Sequence, residues 1–401
     1  MKILHTADWH LGHRLQDFSQ VEEQQLFLRW LKRYIVEHKI DVLLIAGDVF
    51  DTGAPSNQSL QIYYDFLVNL KQTSCQSVII TGGNHDSPGT LNAPKQLLET
   101  LSIKVVGKAT ENIENEVFEI NINNEKLIVA AVPYLRDQDI RRAVAGESFD
   151  ELTERYKTAL VNHYNEVAAY CNQINTSKAP VIAMGHLFAV GGQLSDSEQN
   201  IYVGNLGHIG ADDFPDSFDY IALGHLHRPQ SVGGYEHIRY SGSPYILSFS
   251  EIHYPKLMLE ISIEDNAIQS IKNIDIPRFR EMYRLTGTKQ ECLERFPEII
   301  SNSYGLIPWV EIVLDENSSV NTDDLRTEAE TNGFEILKIT LKNFDRRLTG
   351  IEEQLKQSQS IKELKPAEVF KLKCEEQNIN LQERPDVLDA FSEILQQVKG
   401  H

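Results

Sequence analysis

The chain has 401 residues, 41% of them apolar, which is enough for one large, well-filled domain and one or two smaller ones. Its formal net charge of −20 argues against a protein that binds nucleic acid through its own basic surface alone. The sequence has neither a cationic segment followed by a short apolar one at its start nor a run of about 18 apolar residues, so we expect neither secretion nor a membrane span. Four dispersed cysteines match no paired-ligand spacing and predict reduced thiols in a cytoplasmic protein: Cys75, Cys171, Cys292 and Cys374.

The first part of the chain alternates short apolar runs with amphipathic segments. Strands are predicted at residues 3–4, 41–46, 78–80 and 104–106, and helices after Ser19, over 57–70 and over 93–101. The residues Ser19-Gln20-Val21-Glu22 match a capping box at the start of the first helix. Such alternation of strands and helices predicts parallel strand pairing.

The middle of the chain predicts a second sheet. A hairpin is expected at residues 117–122 and 126–132, turned by Asn123-Asn124, and is followed by a helix over 150–172. Further strands are predicted at residues 181–183, 220–223 and 257–263. We therefore expect an α/β fold with two sheets face to face and helices outside.

Three domains are predicted: residues 1–276, residues 277–343 and residues 344–401. In the second, strands and helices alternate, with helices over 288–301 and 322–331 and strands over 309–314 and 335–341, which indicates a small α+β domain. The third is charged and predicts two helices, which begin near Pro366 and Pro385. Their apolar stripes fit either docking on this chain or binding to a partner.

Five polar motifs follow the predicted buried strands. They are Asp8-Trp9-His10, Gly47-Asp48-Val49-Phe50-Asp51, Gly83-Asn84-His85-Asp86, Gly185-His186 and Gly224-His225-Leu226-His227. Each motif alone is common in structural roles, but their ordered conjunction at successive strand ends indicates one site, because open α/β sheets bind ligands there. Seven side chains are candidate metal ligands: Asp8, His10, Asp48, Asn84, His186, His225 and His227.

The donor types indicate which metal and which chemistry. Carboxylate, amide and imidazole donors without thiolate favour Mn²⁺, with Fe²⁺ or Zn²⁺ as alternatives and Mg²⁺ less suited. Paired divalent ions about 3.5–4 Å apart supply a water-derived nucleophile at neutral pH and stabilise charge at phosphorus. His85 follows a candidate ligand, so its ring is expected to face the substrate and to protonate the leaving oxygen. Asp86 is expected either to orient His85 or to cap the loop.

The motifs resemble those of the calcineurin-like metallophosphoesterases and, within them, of the SbcD nuclease family. The resemblance extends to the segments ILHTADWHLG (3–12), AGDVFDTG (46–53), YIALGH (220–225) and YSGSP (240–244). It covers most of the chain, strongly up to residue 250. It implies a β-sandwich flanked by helices, a small α+β capping domain that shapes DNA access, and a helical tail.

The resemblance also implies how the ligands are shared. One ion would be held by Asp8, His10, Asp48 and His227, and the other by Asp48, Asn84, His186 and His225, with Asp48 as the bridge. Archaeal and eukaryotic relatives carry a second catalytic histidine where this chain has Asp51. We therefore assign proton donation to His85 alone and a supporting or structural role to Asp51.

The function implied by the resemblance is a metal-dependent DNA phosphodiesterase that acts in DNA repair, replication and recombination. It would combine 3′-to-5′ double-strand exonuclease activity with endonuclease activity on hairpins and single strands. Its partner would be the coiled-coil ATPase SbcC, gripped by residues 344–401, in a heterotetramer that contains two copies of this chain. A DNA-binding partner would also reconcile the acidic charge with a DNA substrate.

Two other functions stay open from the residues alone. The first is a phosphatase or phosphodiesterase with a small substrate, against which the additional domain and the tail argue. The second is a non-catalytic scaffold for the ATPase, against which the complete ligand set argues. Four loop arginines are candidates for substrate contacts, although ordinary solvated charges are the alternative: Arg14, Arg136, Arg141 and Arg142.

Overall fold

The computed structural model describes residues 1–140, 149–189, 209–315 and 322–342. The chain divides into two compact units. The first comprises Met1–Leu285, Glu291–Ile312 and Thr322–Ile339, and the second comprises Thr286–Gln290, Val313–Asn321 and Thr340–His401. The helices predicted near Pro366 and Pro385 lie outside the described residues. The described helices include none that is both long enough and apolar enough to cross a membrane.

Two six-stranded sheets form the body of the first unit. The first sheet has the order β14-β13-β1-β4-β5-β6, with β1 (Lys2–Thr6), β4 (Val42–Ala46), β5 (Ser77–Thr81), β6 (Ile103–Val106), β13 (Leu257–Glu264) and β14 (Ala267–Asp275). The second has the order β11-β12-β10-β9-β8-β7, with β7 (Val117–Ile122), β8 (Glu125–Ala131), β9 (Val181–His186), β10 (Tyr220–Gly224), β11 (Gln230–Val232) and β12 (Tyr235–Tyr240). A two-stranded hairpin comprises β2 (Arg14–Leu15) and β3 (Phe18–Ser19).

Parallel pairing places the ends of the motif-bearing strands side by side. In the first sheet β1, β4, β5 and β6 are parallel, and in the second β8, β9, β10 and β12 are parallel. The predicted parallel pairing is therefore confirmed. The predicted hairpin is confirmed as well: Asn123 and Asn124 both have positive φ, as a two-residue type I′ turn requires.

The core lies in three layers. Side chains such as Ile3, Leu44, Ile182 and Ala222 pack between the two sheets. The outer face of the first sheet is covered by α1 (Val21–His38) and α2 (Asn57–Leu70), and that of the second by α6 (Phe149–Ile174). The other α-helices described in this region are short: α3 (Pro88–Asn92), α4 (Lys95–Glu99) and α5 (Asp137–Ile140). The predicted face-to-face sandwich with outer helices is confirmed.

The capping box predicted at the start of α1 is wrong. Gln20 is the N-cap residue and makes no side-chain capping hydrogen bond. The Glu22 carboxylate instead lies 2.9 Å from Arg280 Nη2, so a contact far along the chain displaces the local one. The helix predicted over 93–101 is confirmed in α4, which is shorter and begins after Pro94, whereas α3 was not predicted.

Three further strands form a small sheet of order β15-β16-β17, with β15 (Met282–Gly287), β16 (Trp309–Leu314) and β17 (Glu335–Leu341). Two helices, Lys289–Glu294 and Asp323–Thr331, accompany it, which fits the α+β character expected for this part of the chain. The first helix is shorter than predicted because a 3₁₀ turn containing Pro297 follows it. Within the first unit, Arg280 joins this region to α1 through Glu23 at 2.5 Å and stacks on Trp309.

Candidate metal centre

All seven predicted ligands lie where strands of the two sheets end. Asp8 and His10 follow β1, Asp48 follows β4 and Asn84 follows β5. His186 is the last residue of β9, and His225 and His227 follow β10. Because neighbouring strands are parallel, their carboxyl ends lie together and bring these side chains close to one another; all but the half-buried Asn84 are buried.

The backbone at the site adopts uncommon conformations. Asp8, His10, Asp48 and His225 all have positive φ, between 41° and 103°, a region that non-glycine residues seldom occupy. Main-chain hydrogen bonds between the loops hold them: the Asp8 amide donates to Gly47 O at 3.1 Å, and the His10 amide to Asp48 O at 2.9 Å. Clustered backbone strain is typical of ligand sites. Glycines precede Asp48 and His225 in the motifs, but no pattern in the sequence indicated this strain at the predicted ligands themselves.

One half of the centre consists of Asp8, His10 and His227. One ligand atom from each lies within 4.8 Å of the others, and all three residues are buried. Two of their polar atoms, Asp8 Oδ2 and His10 Nε2, are buried without a hydrogen-bond partner in the described part of the chain. A buried polar atom left unpaired costs about 1–3 kcal/mol, so this arrangement favours a ligand that supplies the missing contact.

The other half consists of Asp48, His186 and His225, whose ligand atoms also lie within 4.8 Å of one another. Asn84 completes it, since its Oδ1 lies 2.9 Å from His186 Nε2 and 3.0 Å from His225 Nδ1. Asp48 Oδ2 lies 3.2 Å from His186 Nε2 and 3.6 Å from His10 Nε2. Asp48 is therefore the residue that lies between the two halves.

Two glycines leave the space that the centre needs. A Cβ atom at Gly83 would collide with the main chain and the carboxylate of Asp48. A Cβ atom at Gly47, whose φ is +82°, would collide with the ring of His186. Glycine is required at both positions because the backbone approaches the side chain of a predicted ligand too closely for any other residue.

Comparison with known proteins places this geometry in a family. The family model "Calcineurin-like phosphoesterase" matches residues 1–229, and the model "Type 5 capsule protein repressor C-terminal domain" matches residues 278–378. The SbcD subunit of the nuclease SbcCD from Escherichia coli (strain K12) is 32% identical over 388 residues, covering 96% of each chain. The chain belongs to the SbcD family of calcineurin-like phosphoesterases. The resemblance predicted from the motifs is thereby confirmed, and so is the metallophosphoesterase fold.

Two further members of the SbcD family show similar identity. The protein of Rhodobacter capsulatus is 34% identical, covering 75% of each chain. That of Bacillus subtilis (strain 168) is 36% identical, covering 64% of each chain. With the phosphoesterase model over more than half of the chain, membership of this family makes the protein a metal-dependent phosphodiesterase.

Burial and charge act differently on the two aspartates of the centre. Burial raises the pKa of Asp8 to about 7. Burial opposes ionisation of Asp48 as well, but His186 at 3.2 Å holds the pKa of Asp48 well below its ordinary value. His186 is buried too, yet the negative charge of Asp48 raises its pKa to about 9. The centre therefore favours positive charge beside Asp48.

Burial keeps other imidazoles of the centre neutral. It lowers the pKa of His10 to about 4 and that of His225 to about 3. A neutral imidazole has the lone pair that a divalent ion needs, whereas a protonated one repels the ion. Neutral histidines, carboxylates and the unpaired atoms of Asp8 and His10 therefore fit divalent metal ions.

In three of the predicted histidine ligands, the ring nitrogen Nδ1 has a hydrogen-bond partner. His10 Nδ1 lies 3.2 Å from Asp51 Oδ1, which also lies 2.9 Å from His13 Nδ1. His227 Nδ1 lies 3.4 Å from Glu251 Oε1. His186 Nδ1 donates to the main-chain oxygen of Ala46 at 3.0 Å. The sequence interpretation missed His13 and Glu251. The only signal was that each lies close to a motif, His13 to Asp8-Trp9-His10 and Glu251 to the segment YSGSP.

His85 is half-buried beside the centre, and its ring centroid lies 4.8 Å from that of His10. His85 Nδ1 lies 2.8 Å from the main-chain oxygen of Asp51, which leaves Nε2 as the free nitrogen of the ring. Together with His10 and Asp51 it forms a third group of possible ligands. This grouping makes a ligand role the alternative to proton donation for His85.

Asp86 does not orient His85. Its carboxylate accepts the amides of Gly83, Val49 and Phe50 at 2.9, 3.1 and 2.9 Å, so it caps the loops that carry the ligands. Of the two roles left open by the sequence, the geometry supports the loop cap.

Of the four loop arginines, two contact main-chain oxygens. Arg136 Nη2 donates to Asp86 O at 2.7 Å, and Arg14 donates to Asp17 O. Arg141 and Arg142 lie outside the described residues.

Proposed function

We propose that this phosphodiesterase of the SbcD family cleaves DNA as the nuclease subunit of a complex with an SbcC-like coiled-coil ATPase. Its reactions would be 3′-to-5′ degradation of duplex ends and endonucleolytic cleavage of hairpins and single strands. The observation that carries the proposal is the convergence of two ligand groups on Asp48 at the carboxyl ends of parallel strands. The naming of its relatives as nuclease subunits supports the DNA substrate.

In this proposal Asp8, His10, Asp48 and His227 hold one divalent ion. Asp48, Asn84, His186 and His225 hold the other. When bound, two such ions supply a nucleophile derived from water and stabilise charge at phosphorus. Mn²⁺ is the proposed metal because the donor set combines four imidazoles with carboxylate and amide oxygens and contains no thiolate.

His85 carries the proposed proton transfer. With Nδ1 donating to the Asp51 carbonyl, the ring presents Nε2, and the imidazolium form of His85 can pass its Nε2 proton to the leaving oxygen of the phosphodiester and become neutral. Asp51 itself supports His10 and His13 through its carboxylate, which fits the supporting role assigned to it.

The proposed assembly contains two copies of this chain and two of the ATPase, in the cytoplasm. Residues 344–401, which lie outside the described residues, would bind the base of the ATPase coiled coil. Deletion of residues 346–401 should then abolish ATPase binding and spare hydrolysis of a small phosphodiester. A truncated chain that still binds the ATPase would refute this docking role.

The experiment that tests the function is Mn²⁺-dependent cleavage of an end-labelled duplex and a hairpin, with and without the ATPase and ATP. We expect weak cleavage by the chain alone, stimulation by the partner, and none with His85→Gln. Absence of DNA cleavage together with rapid hydrolysis of a small phosphate ester would instead support the small-substrate alternative.

A further inference from the structure

A buried charged cluster lies beside His227. It consists of Ser243, Glu251 and Lys256, of which Glu251 is fully buried and Lys256 is 7% exposed. A buried carboxylate and ammonium gain from each other only when hydrogen bonds satisfy their remaining atoms. In this cluster the carboxylate and the ammonium are both hydrogen-bonded, and both contact His227.

The Lys256 ammonium group donates hydrogen bonds to three acceptors. Its Nζ lies 2.6 Å from Glu251 Oε2, 2.6 Å from Ser243 Oγ and 3.4 Å from the main-chain oxygen of His227. The Ser243 amide donates to the same His227 oxygen at 3.2 Å. Lys256 therefore contacts both the backbone of His227 and the carboxylate that faces its ring.

The two carboxylate oxygens of Glu251 have different hydrogen-bond partners. Oε2 accepts from Lys256 and, at 3.1 Å, from the Leu247 amide. Oε1 faces His227 Nδ1 at 3.4 Å. When Nδ1 carries the ring hydrogen and donates it to this carboxylate, Nε2 keeps its lone pair for a metal ion.

We propose that Glu251 is a positioning residue for His227, held in place by Lys256 and Ser243, and that it sets the affinity of the Asp8–His10–His227 half for its ion. The inference rests on the ligand role proposed above for His227. Metal-bound histidines commonly donate their other ring hydrogen to a carboxylate, and loss of that partner weakens binding about 10–100-fold. The inference also assigns a role to the segment YSGSP, because its Ser243 is hydrogen-bonded to Lys256 in the cluster.

The test variant is Glu251→Gln, which keeps the shape but offers one oxygen instead of two. Lys256 and the main-chain amide of Leu247 both need an acceptor, so the side-chain oxygen of the introduced glutamine should face them. Its NH₂ group should then face His227 Nδ1. The ring hydrogen of His227 should then move to Nε2. The matched control is Glu116→Gln, since Glu116 is also fully buried and lies 2.8 Å from His163 Nε2, in a pair remote from the metal centre.

Two measurements on the full chain decide the matter. In Mn²⁺ titration calorimetry, Glu251→Gln should weaken one ion about 10–100-fold and leave the other unchanged, while Glu116→Gln changes neither. In ¹⁵N-histidine NMR of the Zn²⁺-loaded protein, the wild-type His227 hydrogen should be on Nδ1. A hydrogen on Nε2 in the wild type would overturn the proposal without any variant. Normal affinity for both ions in a folded Glu251→Gln variant would overturn it as well.

His227→Ala separates this inference from the function on which it rests. If that variant binds both ions normally, the proposed ligand set is wrong. If it loses one ion while Glu251→Gln loses none, the ligand role stands and the positioning role of Glu251 fails. Lys256→Met supplies an independent variant of the same cluster and should weaken the same ion as Glu251→Gln.

Discussion

In the half formed by Asp8, His10 and His227, carboxylates lie behind both imidazoles, whereas in the half formed by Asp48, His186 and His225 the main chain supports His186. Asp51 and Glu251 supply those carboxylates, and the oxygen of Ala46 supplies the main-chain contact. The first kind of support can be removed by one substitution. The second is part of strand β4 and no side-chain change removes it. Selective mutation should therefore affect the two halves to different extents.

The largest effect is expected at Asp48, the residue common to both halves. Asp48→Ala removes the carboxylate that lies near both His186 and His10, so neither ion should bind at concentrations that saturate the wild type. Metal analysis after gel filtration measures this, with the exposed Asp65→Ala as control. Retention of one ion at full affinity would show that Asp48 is not a bridge.

His85→Gln should separate chemistry from metal binding. We expect turnover to fall about 10²–10⁴-fold, because a positioned proton donor contributes that much, while both halves keep their ions. Turnover of a small phosphodiester and Mn²⁺ stoichiometry are measured together, and the exposed His253→Gln is the control. Loss of an ion would instead make His85 a ligand within the third group, beside His10 and Asp51.

Removal of the metal should destabilise the whole first unit. Each ion bound at 100 times its dissociation constant adds about 2.7 kcal/mol to the free energy of unfolding. Chelation should therefore lower the melting temperature, and less so in Glu251→Gln, where one ion is already weakly bound. Calorimetric melting with and without chelator measures the difference. An unchanged melting temperature would mean that Asp8 Oδ2 and His10 Nε2 do not need a metal partner.

The smallest effect is expected for His13→Ala. The His13 ring lies 2.9 Å from Asp51 and is hydrogen-bonded to no predicted ligand side chain in the described part of the chain, so its loss mainly loosens the carboxylate that supports His10. Binding to the Asp8–His10–His227 half should weaken by less than about tenfold. Titration with Mn²⁺ measures this effect. Weaker binding at the Asp48–His186–His225 half instead would contradict the difference in support between the two halves.

The sequence predicted those parts of the molecule that depend on local patterns. The strands before Asp8 and Asp48 are short apolar runs, and β4 and α2 lie close to or at the predicted bounds. Strand β14 was not predicted, because its isoleucines at 268, 271 and 274 are three residues apart and form neither an apolar run nor the period of two that indicates a strand. Glu251 and Lys256 carry no local pattern either, and only the fold brings them to His227, 24 and 29 residues away along the chain.

Tertiary contacts also explain where local rules failed. Glu22 has the spacing of a capping box, but a bond to Arg280, 258 residues away, outweighs it. Asp86 follows His85 directly, yet its carboxylate binds three loop amides instead of the ring. In both cases the local sequence allowed the carboxylate more than one hydrogen-bond partner. Contacts with segments distant in the chain determined which partner it has.

The most direct test of the two-half centre is a crystal structure of the Mn²⁺-loaded chain with anomalous scattering measured at the manganese edge. Two peaks are predicted, one among Asp8, His10 and His227 and the other among Asn84, His186 and His225, both in contact with Asp48. A single peak, or a peak among His10, Asp51 and His85, would contradict the proposed ligand set.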